Sequence, residues 1–173
     1  MRSAVVAMSL VLCVHAEPAF AAPTRTCSGP EFRQLDFWLG DWNAAWAAPA
    51  GSPAGRGTNH ITKSYGGCVI EEHFDGRPGQ PLMGHSVSVY HAPSKSWRQT
   101  WVDNQGGYID LQGGPDAKGD FVLVTLPNGQ NKQASRMLYT DIKPDSFTWR
   151  WQNSADGTTW TDNWVITYTR MPR

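Results

Sequence analysis

From Asp41 to Arg170 the chain repeats one pattern: short runs rich in Val, Ile, Thr, Tyr and Trp in which apolar and polar positions alternate with a period of two. Turn-forming residues break the runs at Gly66-Gly67, Asp75-Gly76, Ala92-Pro93, Gly106-Gly107, Gly113-Gly114-Pro115, Pro127-Asn128-Gly129, Lys143-Pro144 and Asp156-Gly157. Alternation bounded by such turns predicts an antiparallel meander of about ten strands. They fall roughly over 41–48, 57–65, 68–75, 83–91, 96–103, 107–112, 119–126, 134–142, 146–153 and 160–170. Only PEFRQLDFWL, from Pro30, reads as a short helix, with Ser28 or Gly29 as its cap and proline in its first turn. The stretch APAGSPAGRG (48–57) reads as a flexible loop. The fold class is all-β, and closure into a barrel is favoured because it removes the strand edges that invite aggregation. A two-sheet sandwich is the fallback.

The turns also predict which side chains share a face. A two-residue turn at Gly66-Gly67 sets Tyr65 opposite Cys68 and puts Asn59, Ile61, Tyr65, Ile70, Glu72 and Phe74 on one side. His60, Thr62, Val69, Glu71 and His73 take the other. A two-residue turn at Asp156-Gly157 sets Trp149 opposite Trp164 and Phe147 opposite Ile166, a strongly aromatic face that should be buried. A four-residue loop over 92–95 sets Tyr90 opposite Trp97, Ser88 opposite Gln99 and Ser86 opposite Trp101. A one-residue slip would reverse every assignment.

That last pair of strands mixes aromatic rings with Ser86, Ser88 and Gln99 on one face. Buried hydroxyls and amides need partners, so a purely structural core seldom holds three among its aromatics. The pattern points to a cavity with flat apolar walls and a few orienting polar groups, lined by Asn59, Glu72, Ser86, Ser88, Tyr90, Trp97, Gln99, Trp101, Trp149 and Trp164. The competing reading is that Gln99 and the serines satisfy one another or a buried water.

Composition narrows the setting. Fifteen basic and fifteen acidic residues give a formal net charge of zero, and without a basic cluster nucleic acid is not an expected partner. The start, MRSAVVAMSLVLCVHAEPAFAAPT, has Arg2, an apolar run from Ala4 to Val14 and an Ala19-Phe20-Ala21 cleavage site. This reads as a signal peptide over residues 1–21, leaving 22–173 as a single exported domain, periplasmic or extracellular, with no membrane span. Export leaves Cys27 and Cys68 in an oxidising compartment, which predicts a disulfide.

Four blocks in order, LDFWLGDW (35–42), GGCVIEEHFDG (66–76), WRQTWVDN (97–104) and SADGTTW (154–160), resemble a family of exported bacterial proteins with a domain of unknown function, described as lipocalin-like or calycin-like. The resemblance covers most of residues 22–173. It implies a ligand-sized antiparallel barrel with an N-terminal helix near one end, and it supplies no reaction. Gly40-Asp41-Trp42 also fits the G-x-W that opens a lipocalin's first strand, with Arg170 placed to pack over Trp42 as a structural plug.

Candidate chemistry is sparse. Glu71 and Glu72 are adjacent and point to opposite faces of a strand, so they do not form an acid/base pair. An inward Glu72 would have its pKa raised by desolvation and is the one weak catalytic candidate, against the favoured reading in which it simply pairs with an interior Arg or Tyr. His60, Glu71 and His73 share the outward face, a weak metal set with no fourth ligand, so no metal is assigned. Haem is argued against because no histidine follows His91, and no cofactor is expected. SADGTTW is one residue short of an Asp-box hairpin, and a single copy is a turn motif. Nucleophile-elbow, Walker and H-E-x-x-H motifs are absent. The function expected is binding of a small amphipathic or aromatic molecule. The alternatives are a small hydrolase or isomerase using Glu72 with Tyr90 or Gln99, and a packed barrel that works only through protein partners.

Overall fold

The structure, a computed structural model, describes residues 27–47, 54–126 and 134–172. The leader expected over residues 1–21, most of the 48–57 loop and the Pro127-Asn128-Gly129 turn lie outside them. Ten antiparallel strands follow one another round a closed barrel: β1 (Gly40–Trp46), β2 (Gly55–Ser64), β3 (Val69–Asp75), β4 (Met83–His91), β5 (Ser96–Asp103), β6 (Tyr108–Pro115), β7 (Phe121–Thr125), β8 (Ala134–Lys143), β9 (Ser146–Ser154) and β10 (Thr161–Arg170), with β10 pairing back onto β1. Closure therefore prevails over the sandwich, and the barrel is consistent with a calycin-like fold.

Period-two alternation sorts the side chains. Along β2 the residues Gly55, Gly57, Asn59 and Ile61 are buried, while Arg56, Thr58 and His60 are exposed. The interior is filled by Trp42, Ile70, Phe74, Trp97, Leu111, Leu123, Tyr139, Phe147 and Ile166. An apolar inside with a polar outside is the reverse of barrels that face lipid. No helix among the described residues is long and apolar enough to cross a membrane.

Two of the three derived registers stand as expected. Ser64 pairs with Val69 and Ile61 with Glu72 across the first hairpin, and Tyr90 with Trp97, Ser88 with Gln99 and Ser86 with Trp101 across the other. Tyr65 itself leaves the strand at φ 48° and is 78 % exposed, because the Tyr65–Gly67 turn is a 3-10 turn. The third register differs. Trp149 pairs with Ile166, Phe147 with Tyr168 and Trp164 with Trp151, and a bulge lies between Asp162 and Trp164. The cause is the connection: Asp156 Oδ1 accepts the amides of Thr158 and Thr159 at 2.8 and 2.7 Å, and Ser154 Oγ accepts that of Gly157 at 2.8 Å. The Asp-box-like sequence thus closes a longer loop than a two-residue turn. A shift of two residues keeps parity, so the aromatic face still points inward.

The short helical segment starts at Pro30 and consists of two 3-10 turns, Pro30–Arg33 and Asp36–Trp38. It folds across one end of the barrel. Lys63 Nζ donates to the Phe32 carbonyl at 2.9 Å and pairs with Asp36, which also accepts Arg33 Nε at 2.7 Å. Cys27 and Cys68 are joined in a disulfide that ties the start of this segment to the start of β3.

Candidate functional site

The two ends of the barrel are built differently. At the end where β1 begins, Leu35 and Trp38 are fully enclosed, and the ring of Phe37 meets Phe121, Tyr139 and Phe147 with centroids 5.7–6.1 Å apart. Trp42 donates its indole N–H to the Trp38 carbonyl at 2.7 Å, and the Arg170 guanidinium lies 4.1 Å over the Trp42 ring while donating to the Leu39 carbonyl at 2.9 Å. Gly40 is required for this stack: it sits at φ 114°, and a Cβ there would lie 2.6 Å from the guanidinium. Aromatic rings therefore plug this end.

The opposite end holds a cavity of about 180 Å³. Its walls are Trp101 from β5, Trp149 and Trp151 from β9 and Trp164 from β10, with Phe74, Leu82, Ile109, Met137 and Ile166 completing the apolar lining. Trp149 and Trp164 meet edge to face, 5.6 Å between centroids and 86° between planes. Gly84 makes room for the Trp101 indole, since a Cβ at that position would come within 2.0 Å of its ring. Three polar side chains reach the lining: Glu72, Tyr168 and Asp103. Asp103 accepts the Trp101 indole N–H at 3.0 Å, a bond that holds its carboxyl below the usual range.

Glu72 is the chemical centre of this cavity. It is 7 % exposed, and burial pushes its carboxyl up to about 7, against the opposing pull of hydrogen bonds from Ser86 and Asn59. Asn59 Nδ2 donates to one carboxylate oxygen at 2.7 Å and Ser86 Oγ to the other at 2.6 Å. The three groups come from adjacent strands β2, β3 and β4, where Glu72 pairs directly with Ser86. Burial raises the phenols of Tyr139 and Tyr168 well above their ordinary value, with the Glu72 charge adding to the effect. No cationic side chain forms an ion pair with Glu72 among the described residues, so its negative charge is uncompensated.

The residues expected to line one cavity thus divide between the ends. Glu72, Trp101, Trp149 and Trp164 line the open-end cavity, and Asn59 and Ser86 hold Glu72 from beside it. Ser88, Tyr90, Trp97 and Gln99 sit toward the plug. Trp97 donates to Gln34 Oε1 at 3.1 Å, Tyr90 packs edge-on to Phe32 at 5.2 Å, and Gln99 Nε2 donates to Ser88 Oγ at 2.9 Å. Glu72 makes no hydrogen bond with Tyr90 or Gln99, the partners named for a hydrolytic site. On the outer face His60 pairs with His73 across β2 and β3 and hydrogen-bonds Asp41, and the His73 and His85 rings lie 4.5 Å apart. Glu71 stands opposite Thr62 and Val87. Among the described residues no group of three or more His, Cys, Asp or Glu side chains is gathered closely enough to hold a metal.

Sequence reasoning missed Trp151, Asp103, Ile109, Tyr168, Met137 and Leu82. Trp151 shares parity with Phe147 and Trp149, and Asp103 with Trp97, Gln99 and Trp101, so extending each alternation by one step would have found both. Leu82 lies in the β3–β4 connection, where no periodicity marks it. Comparison of the chain with protein-family models and with curated proteins finds no match.

Proposed function

We propose that this chain is an exported binding protein that holds a small aromatic or amphipathic molecule in the open-end cavity. The observation that carries the reading is the contrast between the ends: one is sealed by Leu35, Phe37 and Trp38, while the other keeps about 180 Å³ of space between four tryptophans and a buried carboxylate. A cavity of about 150 Å³ is already enough to take benzene, so a ligand with one ring fits. Trp101, Trp149, Trp151 and Trp164 would supply the walls, and Glu72, oriented by Asn59 and Ser86, the polar contact. Export is supported by the leader-like first 21 residues, by the disulfide and by the four sequence blocks that resemble exported calycin-like proteins.

A panel of neutral and charged single-ring compounds, titrated against tryptophan fluorescence, tests this. At least one compound should change the emission, and Ile109→Trp, which adds bulk to the cavity from β6, should weaken that compound at least about tenfold with thermal stability little altered. No response from any compound, or full affinity in Ile109→Trp, would refute the cavity as the site. A catalytic second reading draws on one observation, the Glu72 carboxyl poised at about 7, where a general acid or base works best. The one hydroxyl that donates to this carboxyl, Ser86 Oγ at 2.6 Å, is fully buried and does not line the cavity, so it offers no nucleophile to a bound molecule.

A further inference from the structure

We propose that the open-end cavity selects a small organic cation, an amine or quaternary ammonium group seated between the Glu72 carboxylate and the indole faces of Trp101, Trp149, Trp151 and Trp164. The proposal rests on the cavity being a ligand site and adds the charge of what enters it.

Three observations converge on a positive ligand. The first is the charge of the lining: Glu72 stands at depth and Asp103 at the rim, with no lysine, arginine or histidine among the described lining residues. An anionic ligand would meet two carboxylates and no compensating charge. Burying a charge without a partner is costly, and a cation supplies the partner that the protein omits.

The second is the hydrogen bonding of Glu72. Both of its carboxylate oxygens already receive donors, from Asn59 at 2.7 Å and Ser86 at 2.6 Å, an arrangement that suits the anion. The groups facing it from the other strands add no positive charge. Tyr139 from β8 and Tyr168 from β10 are phenols pushed up by burial and stay neutral, and Asp103 from β5 is a second acid. The carboxylate is thus oriented and desolvated but not neutralised.

The third is the wall. Indole offers the strongest ring face for a cation, and desolvated cation–π contacts are stronger than exposed ones. The Trp101 N–H is already committed to Asp103 at 3.0 Å, so what this ring has left to offer a ligand is its π surface. Four such rings beside one carboxylate form an ammonium cage with a counter-ion. The volume of about 180 Å³ limits the guest to an ammonium group and about one ring.

The test uses four single-ring probes with the disulfide-intact chain: benzylamine and benzyl alcohol, which match in size, together with benzoate and the bulkier benzyltrimethylammonium, followed by tryptophan fluorescence and calorimetry. At pH 8 both cations should bind at least about tenfold more tightly than benzyl alcohol, with benzoate weakest. Benzyltrimethylammonium keeps its charge at every pH. Its affinity should therefore fall about tenfold from pH 8 to pH 6 as Glu72, titrating at about 7, takes up a proton. In Glu72→Gln the preference for cations should shrink about tenfold, to what the indole faces alone supply, while benzyl alcohol still binds. The comparison among probes in the wild type needs no variant, so a folding defect in Glu72→Gln would not obscure the answer. Benzyl alcohol or benzoate binding as tightly as the cations, or a cation preference undiminished in Glu72→Gln, overturns the charge assignment and leaves the cavity as a ligand site. Silence from all four also overturns it, and the wider panel described above then decides separately whether the cavity binds anything.

Discussion

Replacing Glu72 with glutamine should stabilise the protein at alkaline pH, by an amount that grows with pH in a defined window. The carboxyl moves from an ordinary 4.5 to about 7 on folding, because burial penalises its charged form. The side chain is 7 % exposed, so solvent screening discounts the effect little. A raised acid contributes stability that is complete below the unfolded pKa and lost as pH rises through the folded one. The loss here starts near pH 4.5 and is complete just above pH 7. At about 1.4 kcal/mol per unit, the full penalty for the ionised form is about 3 kcal/mol, of which about 2–3 kcal/mol falls between pH 5 and pH 8. Glutamine nearly matches the volume and keeps an oxygen for Asn59 Nδ2, while its amide can donate to the Ser86 hydroxyl. Urea denaturation of both proteins at pH 5 and pH 8 measures the effect, and subtracting the two cancels every other titrating group. The wild type should fall behind the variant by about 2–3 kcal/mol over that interval. A difference that does not change with pH would show that the Glu72 charge is solvated or paired, and the electrostatic account of the cavity would fail with it.

Two further outcomes follow from the plugged end. Cys27→Ser, or reduction, should lower stability by about 4 kcal/mol in the chain-entropy estimate for the 41-residue separation; non-reducing peptide mass spectrometry should recover the Cys27–Cys68 pair, and free thiols in the native protein would contradict it. Gln99→Leu alone strips Ser88 of its partner and should cost about 1–2 kcal/mol in thermal or urea unfolding, whereas Ser88→Ala with Gln99→Leu should recover most of that, because it also removes the Ser88 hydroxyl that the single change leaves buried without its partner; a double variant as unstable as the single one would mean that the pair serves something other than itself.

Most of the barrel was legible because its turns announce their lengths. Taking Ala92–Lys95 as a four-residue loop is enough to pair Tyr90 with Trp97, and the structure closes that connection with Pro93 early and Lys95 in the left-handed region. The loop after Ser154 misled, since Asp-Gly there belongs to a side-chain clip and not to a two-residue turn. Parity survived that error and partners did not. Parity also identified inward residues without saying which end of the barrel each occupies. Trp97 and Trp101 are both inward on β5, yet one is covered by Gln34 and the other walls a cavity. What separates them is where the Pro30–Trp38 segment folds back, a long-range choice fixed by the Lys63 contacts and the disulfide. The expected Cys27–Cys68 bond held the clue: β3 and β5 start at the same end of the barrel, so a tether at Cys68 already places the plug beside Trp97 and away from Trp101.

The polar cluster on β2, β3 and β4 has no evident structural task. Glu72 faces Ile61 and is flanked along its strand face by Ile70 and Phe74, all buried, so an aliphatic residue would pack there without a desolvation penalty. Keeping the carboxylate costs about 3 kcal/mol at neutral to alkaline pH, a large share of a small domain's stability. Asn59 and Ser86 then occupy two more interior positions and orient it, Asn59 Nδ2 also reaching the Tyr168 hydroxyl at 3.4 Å, and the Asn59 carbonyl oxygen is left buried without a partner of its own. The opposite end shows what the same barrel does when nothing must enter: it fills the space with Leu35, Phe37 and Trp38. A fold that can seal one end so completely does not leave a charged, tryptophan-walled space at the other for want of side chains to fill it. The proposed binding function accounts for that local loss of stability, and the uncompensated sign of the charge is what favours a cation in the proposal.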